Sequence, residues 1–313
     1  MQTSWGEMDV SDAHVHFFSH RFFSALAQQK SAQATAAATG ETPESIARTL
    51  GWQAPPTDPG ELADQWAAEI DRAGVSRAAM IASIPGDEES VQAAVARYPH
   101  RFFGYFMVNP TASGAEDRVR KALEAGNLHA VCLFPAMHRI SIQDERIQRI
   151  LDVVSLFPRT LVFVHCGVLT VGVRRKLGLP SPFDMRFSDP IDLHRVALVY
   201  PGIHFVVPHF GAGYFREALM LCDLCPNVYL DTSSSNSWMR YQPERLDLAE
   251  VFRRALDVAG PRRLLFGSDS SFFPRGWHKQ VFAEQSQALA SLDISNADAR
   301  CIFGENLENL FLR

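Results

Sequence analysis

Short apolar runs alternate with amphipathic stretches along most of the chain. The apolar runs are typical of buried strands, and the apolar residues of the stretches between them recur at helical spacing. Strands are predicted over residues 8–13, 78–84, 103–108, 128–134, 160–165, 203–208, 227–231 and 263–268. The clearest helices are predicted over 61–73, 115–125 and 144–156. Eight strand–helix units in series predict an α/β fold, a (β/α)8 barrel of the TIM type.

Three longer segments interrupt this alternation. Residues 17–60, 167–192 and 232–245 follow the predicted first, fifth and seventh strands. Active-site loops of such barrels follow the carboxyl ends of the strands, and loops of this length commonly form lids or binding surfaces. We therefore expect a single domain over residues 1–313, with lid insertions after strands 1, 5 and 7.

Composition narrows the class of protein. Hydrophobic residues make up 47% of the 313 residues, enough for a large core, and no window is apolar enough to span a membrane. The formal net charge of −5 argues against nucleic-acid or anionic-membrane partners. The first ten residues lack the basic start and apolar core of a secretory signal, and five cysteines suit a reduced, cytoplasmic setting. We expect a small-molecule substrate, with a homodimer left open.

Two motifs have ordinary explanations. Cys222 and Cys225 form a lone CxxC, which lacks the second pair of a zinc knuckle and is best interpreted as two buried helix cysteines. Residues 203–231 have the outline of a dinucleotide-binding unit, but Arg216 stands where that motif needs its third glycine. Neither motif therefore indicates the function.

Histidines and an aspartate collect near the predicted strand ends. His14 and His16 are separated by one residue, so in an extended segment both imidazoles face the same side. His165 ends the predicted fifth strand, His209 follows the sixth and Asp269 follows the eighth. Imidazole and carboxylate are the ligands that suit zinc and its first-row neighbours. Their convergence on one rim of the barrel predicts a metal ion.

These motifs resemble a known family. The HxH motif, "FVHCG", "VVPHFGAG", "LFGSDSSF" and "FGENLENLF" together are similar to the amidohydrolase superfamily, and most of all to the amidohydrolase-related group (amidohydrolase 2) that includes aminocarboxymuconate-semialdehyde decarboxylase. The resemblance implies a TIM-type barrel with one divalent ion, zinc or alternatively manganese. The implied metal ligands are His14, His16, His165 and Asp269, with His209 beside the metal-activated water.

One departure from the family affects the number of metal ions. Binuclear members carry a carboxylated lysine at the end of strand four, where this chain has Cys132 in "AVCLFPAM" and no lysine. A single ion is therefore expected. A buried strand cysteine is the favoured interpretation of Cys132, and ligation is the alternative.

The resemblance implies a metal-dependent enzyme with Asp269 and His209 as catalytic residues. Asp269 would accept a proton from the attacking water and pass it to the leaving group, while His209 would orient the water or polarise the substrate. We expect a hydrolase acting on a lactone, amide or similar bond. The alternative is a non-oxidative decarboxylase, because the same ligands serve both reactions. A non-catalytic binding protein is the least favoured hypothesis.

Substrate contacts are expected from the rim and the insertions. Guanidinium groups bind carboxylates in bidentate fashion, so Arg48 and Arg275 favour a carboxylate-bearing substrate. Trp238 would pack against the substrate and the hydroxyl of Ser233 would bond to it. Further candidates of the same kinds are Arg174, Arg175, Arg186, Arg240, Asp231, Thr232, Ser234, Ser235, Phe17, Phe18, Phe272, Phe273 and Trp277.

Overall fold

The apolar runs form a sheet of eight parallel strands. The computed structural model describes residues 1–33, 40–234 and 236–312. After a two-stranded hairpin of β1 (Gln2–Thr3) and β2 (Gly6–Glu7), the barrel strands are β3 (Ser11–Phe17), β4 (Arg77–Ala82), β5 (Phe102–Met107), β6 (Ala130–Leu133), β7 (Leu161–Val164), β8 (Phe205–Val207), β9 (Val228–Asp231) and β10 (Leu264–Leu265). Each barrel strand pairs with the next one along the chain.

Backbone contacts between the first and last barrel strands close the sheet. The amide of Ala13 donates to the carbonyl of Phe266 over 2.8 Å, and the amide of Asp269 donates to the carbonyl of His14 over 3.0 Å. A parallel bridge between Val15 and Ser270 continues this pairing. The predicted (β/α)8 barrel is confirmed.

The helices follow the barrel strands. They are α1 (His20–Gln33), α2 (Pro43–Leu50), α3 (Pro59–Ala73), α4 (Glu88–Arg97), α5 (Ala115–Glu124), α6 (Pro135–His138), α7 (Glu145–Ser155), α8 (Gly172–Lys176), α9 (Asp192–Val199), α10 (Phe215–Leu224), α11 (Leu248–Ala259), α12 (Lys279–Ala290), α13 (Asn296–Arg300) and α14 (Asn306–Leu312). The predicted helices over 61–73, 115–125 and 144–156 correspond to α3, α5 and α7. No helix in the described part of the chain combines the length and apolarity needed to cross a bilayer.

The first barrel strand lies further along the chain than its apolar run predicts. The expected strand over 8–13 ends before His14, whereas β3 continues to Phe17. Pairing with β4 extends it, since Val15 lies opposite Met80 and His16 opposite Ile81. Both histidines are therefore held inside a paired strand, a more rigid setting than a loop.

Alternation along β3 decides where its side chains point. Val15 and Phe17 pack in the large apolar layer between the barrel and the helices. His14 and His16 therefore face the opposite side, the interior of the barrel. Below them the interior is filled by a second cluster that includes Tyr105, Cys132 and Phe163.

Two of the three insertions pack against each other. Phe22 and Leu26 of α1 and Ile46 of α2 form a small core with Val173 and Leu177. The described parts of residues 17–60 and 167–192 therefore pack into one joint structure. The described part of residues 232–245 contains a short 3-10 helix over Ser237–Tyr241. Whether these segments act as lids stays a prediction. The free Cys222 and Cys225 are buried, as expected.

Candidate active site

Three side chains from the first barrel strand and from the loop after the last one converge on one point. The Nε2 atoms of His14 and His16 lie 3.3 Å apart. Oδ1 of Asp269 lies 3.8 Å from Nε2 of His14 and 3.3 Å from Nε2 of His16. Asp269 reaches the histidines because the loop after β10 is bonded to β3 through the amide of Asp269 itself. These three residues form a group that could hold a metal ion.

The hydrogen bonds behind His14 fix which of its nitrogens carries a proton. Nδ1 of His14 lies 2.7 Å from Oδ2 of Asp231, and both side chains are buried. An ionised carboxylate only accepts, so Nδ1 is the donor and Nε2 is the nitrogen left to bind a proton or a cation. Carboxylates placed behind a metal-binding histidine have this orienting role in proteins.

Ser83 places the proton of His16 on Nδ1, as Asp231 does for His14. The hydroxyl of Ser83 donates to the carbonyl of Ile81 over 3.0 Å, which uses its only proton. The contact of 2.8 Å between Nδ1 of His16 and Oγ of Ser83 must then be donated by the imidazole. Nε2 of His16 is left as an acceptor that faces Nε2 of His14.

The group fits a divalent cation. Two imidazole lone pairs and a carboxylate oxygen face one another, and lone pairs at this distance repel unless a proton or a cation lies between them. Burial is the largest single influence on His14 and lowers its pKa, but the charge and hydrogen bond of Asp231 together with the charges of Asp269 and Asp12 raise the pKa overall. Because metal ligands must be deprotonated, a bound ion would displace the proton that the raised pKa keeps on Nε2 of His14.

His165 and His209 lie beside this group, which does not include them. His165 is buried just after β7, and its Nδ1 has no hydrogen-bond partner among the described residues. Burial holds the pKa of His165 well below its usual value, so the ring is neutral and able to act as a ligand. The ring centroids of His165 and His209 lie 5.4 Å apart, and those of His209 and His14 lie 5.0 Å apart. Nδ1 of His209 is 3.0 Å from the carbonyl of Ser233, which can only accept, so its Nε2 is free.

Two of these residues have unusual backbone conformations. Asp269 and His209 both have φ of 57°, in the left-handed region that residues other than glycine seldom occupy. Such conformations persist where the surrounding structure enforces them, and they cluster at functional sites. Here they present both side chains to the same space.

A buried carboxylate supports the site from below. Asp12 accepts hydrogen bonds from the backbone amides of His14 and Ser268 and from the indole of Trp277, at 2.9, 3.0 and 2.7 Å. Burial raises the pKa of Asp12 to about 6. The hydrogen bonds tie β3 to the segment that carries Asp269, so Asp12 fixes the separation of the ligands.

A cavity of about 520 Å³ opens above the site, a size usual for small-molecule ligands. His14, His16, His165, His209 and Asp269 all line it. Most of its other lining residues are apolar or aromatic, among them Phe18, Phe22, Leu26, Trp52, Met107, Phe134, Met137, Leu169 and Phe183. The described parts of the insertions after β3 and β7 supply most of this apolar lining.

The four residues predicted to bind the substrate occupy different positions relative to the cavity. Arg48 is exposed on α2, and Trp238 is buried against Phe210 and Phe215; neither lines the cavity. Ser233 lies behind the histidines, 2.9 Å from Nδ1 of both His14 and His209. Arg275 lies near the site, since its guanidinium donates to the carbonyl of Asp269 over 3.1 Å.

Of the remaining candidates from the sequence, some line the cavity and others lie behind it or on the surface. Arg174 and Phe18 line the cavity, whereas Arg186 pairs with Asp184 on the surface. Asp231 orients His14, and Thr232 bonds to Gln285 in the core. Arg175 and Arg240 do not line the cavity, and Ser235 lies outside the described residues.

Cys132 lies within the interior cluster of the barrel, and the group of His14, His16 and Asp269 does not include it. Burial raises the pKa of its thiol, which opposes the thiolate form that binds metals. These observations favour the structural role.

Ser83 and Lys176 were not singled out from the sequence. Ser83 lies at the carboxyl end of the strand predicted over 78–84 and directly follows β4 in the structure. Barrel enzymes place site residues at such strand ends, and that position was its only signal. Lys176 lines the cavity from the end of α8, in a segment without clear periodicity.

A family model described as Amidohydrolase (Amidohydro_2) matches residues 11–312. The chain belongs to the amidohydrolase family. The predicted family and the predicted metal-dependent enzyme class are thereby confirmed. The match begins at the first residue of β3 and includes His14, His16, His165, His209 and Asp269.

A curated relative matches only part of this amidohydrolase. Protein fluG of Emericella nidulans is 32% identical over 87 residues, which are 28% of this chain and 10% of that protein. The match therefore spans about a tenth of the relative's length.

Solved structures share the fold at low identity. A 5-carboxyvanillate decarboxylase from Novosphingobium aromaticivorans with bound manganese has a TM-score of 0.64 at 14% identity, covering 98% of this chain and 97% of that one. A protein from Acinetobacter baumannii described as a probable 2-pyrone-4,6-dicarboxylic acid hydrolase has a TM-score of 0.59 at 14% identity, covering 97% and 99%. An amidohydrolase from Burkholderia multivorans with bound zinc has a TM-score of 0.59 at 17% identity, covering 97% and 99%.

Proposed function

We propose that this amidohydrolase holds one divalent metal ion and hydrolyses a small, carboxylate-bearing substrate. His14, His16 and Asp269 would be ligands, with His165 as the fourth. The observation that carries the proposal is the set of three acceptor atoms turned toward one point, with Asp231 and Ser83 behind the two imidazoles.

Zinc is the proposed ion. Imidazole nitrogens and carboxylate oxygens are among the ligands that zinc prefers. Manganese is the alternative, because structural neighbours carry either metal. The ion would supply positive charge that polarises the substrate and that lowers the pKa of a bound water to about 7.

The chain's own residues would manage the proton and the orientation of the reactants. The carboxylate of Asp269 would take a proton from the attacking water and deliver it to the leaving nitrogen or oxygen as its bond to carbon breaks. Nε2 of His209, free because Nδ1 donates to Ser233, would accept a hydrogen bond from the water and orient it. Ser233, placed between His14 and His209, would position these rings rather than contact the substrate.

Decarboxylation is a second candidate, which the cavity lining favours. Among the described residues that line the cavity, aromatic and aliphatic side chains predominate near His16 and His165. An apolar environment removes water from a substrate carboxylate, which promotes the loss of carbon dioxide. The same ligands would serve this reaction.

A single screen separates the two reactions. Metal-loaded protein is incubated with a panel of lactones, amides and aromatic or enoic acids, and both substrate loss and released carbon dioxide are measured. Hydrolysis consumes a lactone or amide without releasing carbon dioxide, whereas decarboxylation releases one carbon dioxide per acid consumed. Turnover that is unchanged after chelation and in His16→Ala would contradict the proposal.

A further inference from the structure

One wall of the cavity is a row of stacked rings that leads away from the metal-binding group. The ring of Phe18 stacks on His16 with centroids 5.4 Å apart and planes inclined by 29°. Trp52 follows at 5.9 Å and 16° from Phe18. Phe272 backs Trp52 at 4.1 Å and 9°. Rings from the first insertion and from the loop after β10 therefore form one stacked row, of which His16, Phe18 and Trp52 line the cavity while Phe272 supports Trp52 from behind.

A cation stands at the far end of this row. Nζ of Lys176 lies over the ring of Trp52, 5.7 Å from its centroid, and Lys176 lines the cavity from the end of α8. In the described part of the chain, Lys176 has no carboxylate within ion-pair distance. Two aromatic rings, Phe18 and Trp52, thus separate the ammonium group from His16.

The neighbouring cation is already engaged. The guanidinium of Arg174 donates to the carbonyl of Pro180 over 2.9 and 2.6 Å and to Oε1 of Gln29 over 2.6 Å. These bonds hold the loop after α8 against α1. Lys176 is therefore the cation that is available to a ligand.

The scarcity of acidic residues around the cavity also indicates that the ligand beside Lys176 is an anion. Among the described residues around the cavity, Asp269 is the only acidic side chain, and it belongs to the metal-binding group. An ammonium group at the edge of an apolar wall attracts anions, and its four-carbon stem lets it follow the ligand. The wall itself would pack the flat or elongated body of that ligand.

We propose that Lys176 is a specificity-determining residue that binds an anionic group of the substrate about two ring lengths from the reacting group. The inference rests on the proposed function, since it assumes that the reacting group lies at His14 and His16. It assigns the substrate class: an elongated or two-ring molecule that carries a carboxylate at the end remote from the metal site.

Two matched probes test the proposal. Biphenyl-4,4′-dicarboxylate carries the remote carboxylate, and 4′-carbamoylbiphenyl-4-carboxylate replaces it by a neutral amide of similar shape. Both dissociation constants are measured by calorimetry on metal-loaded protein. The wild type is expected to bind the dicarboxylate more tightly, by up to about fivefold, because an accessible ion pair contributes up to about 1 kcal/mol. The preference should fall in high salt.

Variants assign the preference to the side chain. Lys176→Met keeps the length of the stem and should bind both probes equally, while Lys176→Arg should retain the preference. Lys121→Met, on the exposed face of α5, is the matched control and should behave as the wild type. A preference that survives in Lys176→Met would overturn the proposal, as would equal binding, or no measurable binding, of the two probes by the wild type.

The proposed function can fail separately. Both probes share one carboxylate and the biphenyl body, so the contribution of these groups to binding cancels in the ratio of the two dissociation constants. The same ratio is measured in chelator-treated protein. If removing the metal leaves both affinities unchanged, the placement of the reacting group at the metal is wrong, whereas the ratio still decides whether Lys176 recognises the anion.

Discussion

Oδ2 of Asp231 lies 2.7 Å from Nδ1 of His14, although 217 residues separate them in the chain. The contact joins the end of β9 to β3 across the barrel interior. It places the proton of His14 on the nitrogen that faces away from the cavity. The ligand atom of His14 is thus prepared by a residue that would not itself touch the ion.

Asp231→Asn should weaken metal binding by about 10- to 100-fold, the usual effect of losing such a partner. The amide can present a donor to Nδ1 and so favour the tautomer with its proton on Nε2. Competition with a fluorescent chelator measures the affinity. Asp257→Asn, on the exposed surface of α11, is the control. An unchanged affinity in Asp231→Asn would show that this carboxylate does not orient His14.

Elemental analysis of purified protein should find about one transition metal ion per chain, because the ligand set describes a mononuclear site. His165→Gln should lower the occupancy if this orphaned imidazole is the fourth ligand. Two tightly held ions per chain would contradict the single site and would bring His209 or Cys132 into the ligand set.

His209→Ala and Asp269→Asn should have different effects. His209→Ala should retain the metal and lose activity, since its proposed role is to orient the water. Asp269→Asn should lose activity and also bind the metal more weakly, because it removes a charged ligand together with the proton carrier. Metal content and turnover are measured on the same samples. Metal loss from His209→Ala with full turnover in Asp269→Asn would reverse the two roles.

Trp277→Phe should destabilise the fold by about 1–3 kcal/mol, because it leaves a buried oxygen of Asp12 without its donor. Urea denaturation followed by circular dichroism measures the change. Trp5→Phe removes an indole hydrogen bond to the carbonyl of Ile294 at a partly exposed position and should cost less. Equal effects of the two substitutions would mean that the Asp12 contact has no special importance for stability.

The barrel and the clustering of His14, His16, His165, His209 and Asp269 could be predicted from the sequence. Strand and helix periodicities are local properties, and parallel strands in series bring their carboxyl ends to one rim whatever the remaining details. The spacing of His14 and His16 fixes their common face for the same reason. Strand bounds were less well predicted: β3 extends to Phe17 because it pairs with β4, and β10 (Leu264–Leu265) is shorter than the strand predicted over 263–268.

The orientation of the site was decided by the tertiary structure. Asp231, Ser83 and Asp12 gain their roles from contacts with β3 or the segment after β10, and no local pattern encodes such contacts. The same limit applies to the substrate residues: Arg48 and Trp238 look suitable by type, yet packing turns one to solvent and buries the other. Lys176 faces the cavity because two insertions pack together there. Residue type and periodicity are carried by short stretches of chain, whereas a side chain's direction, its proton and its neighbours are fixed only when distant segments meet.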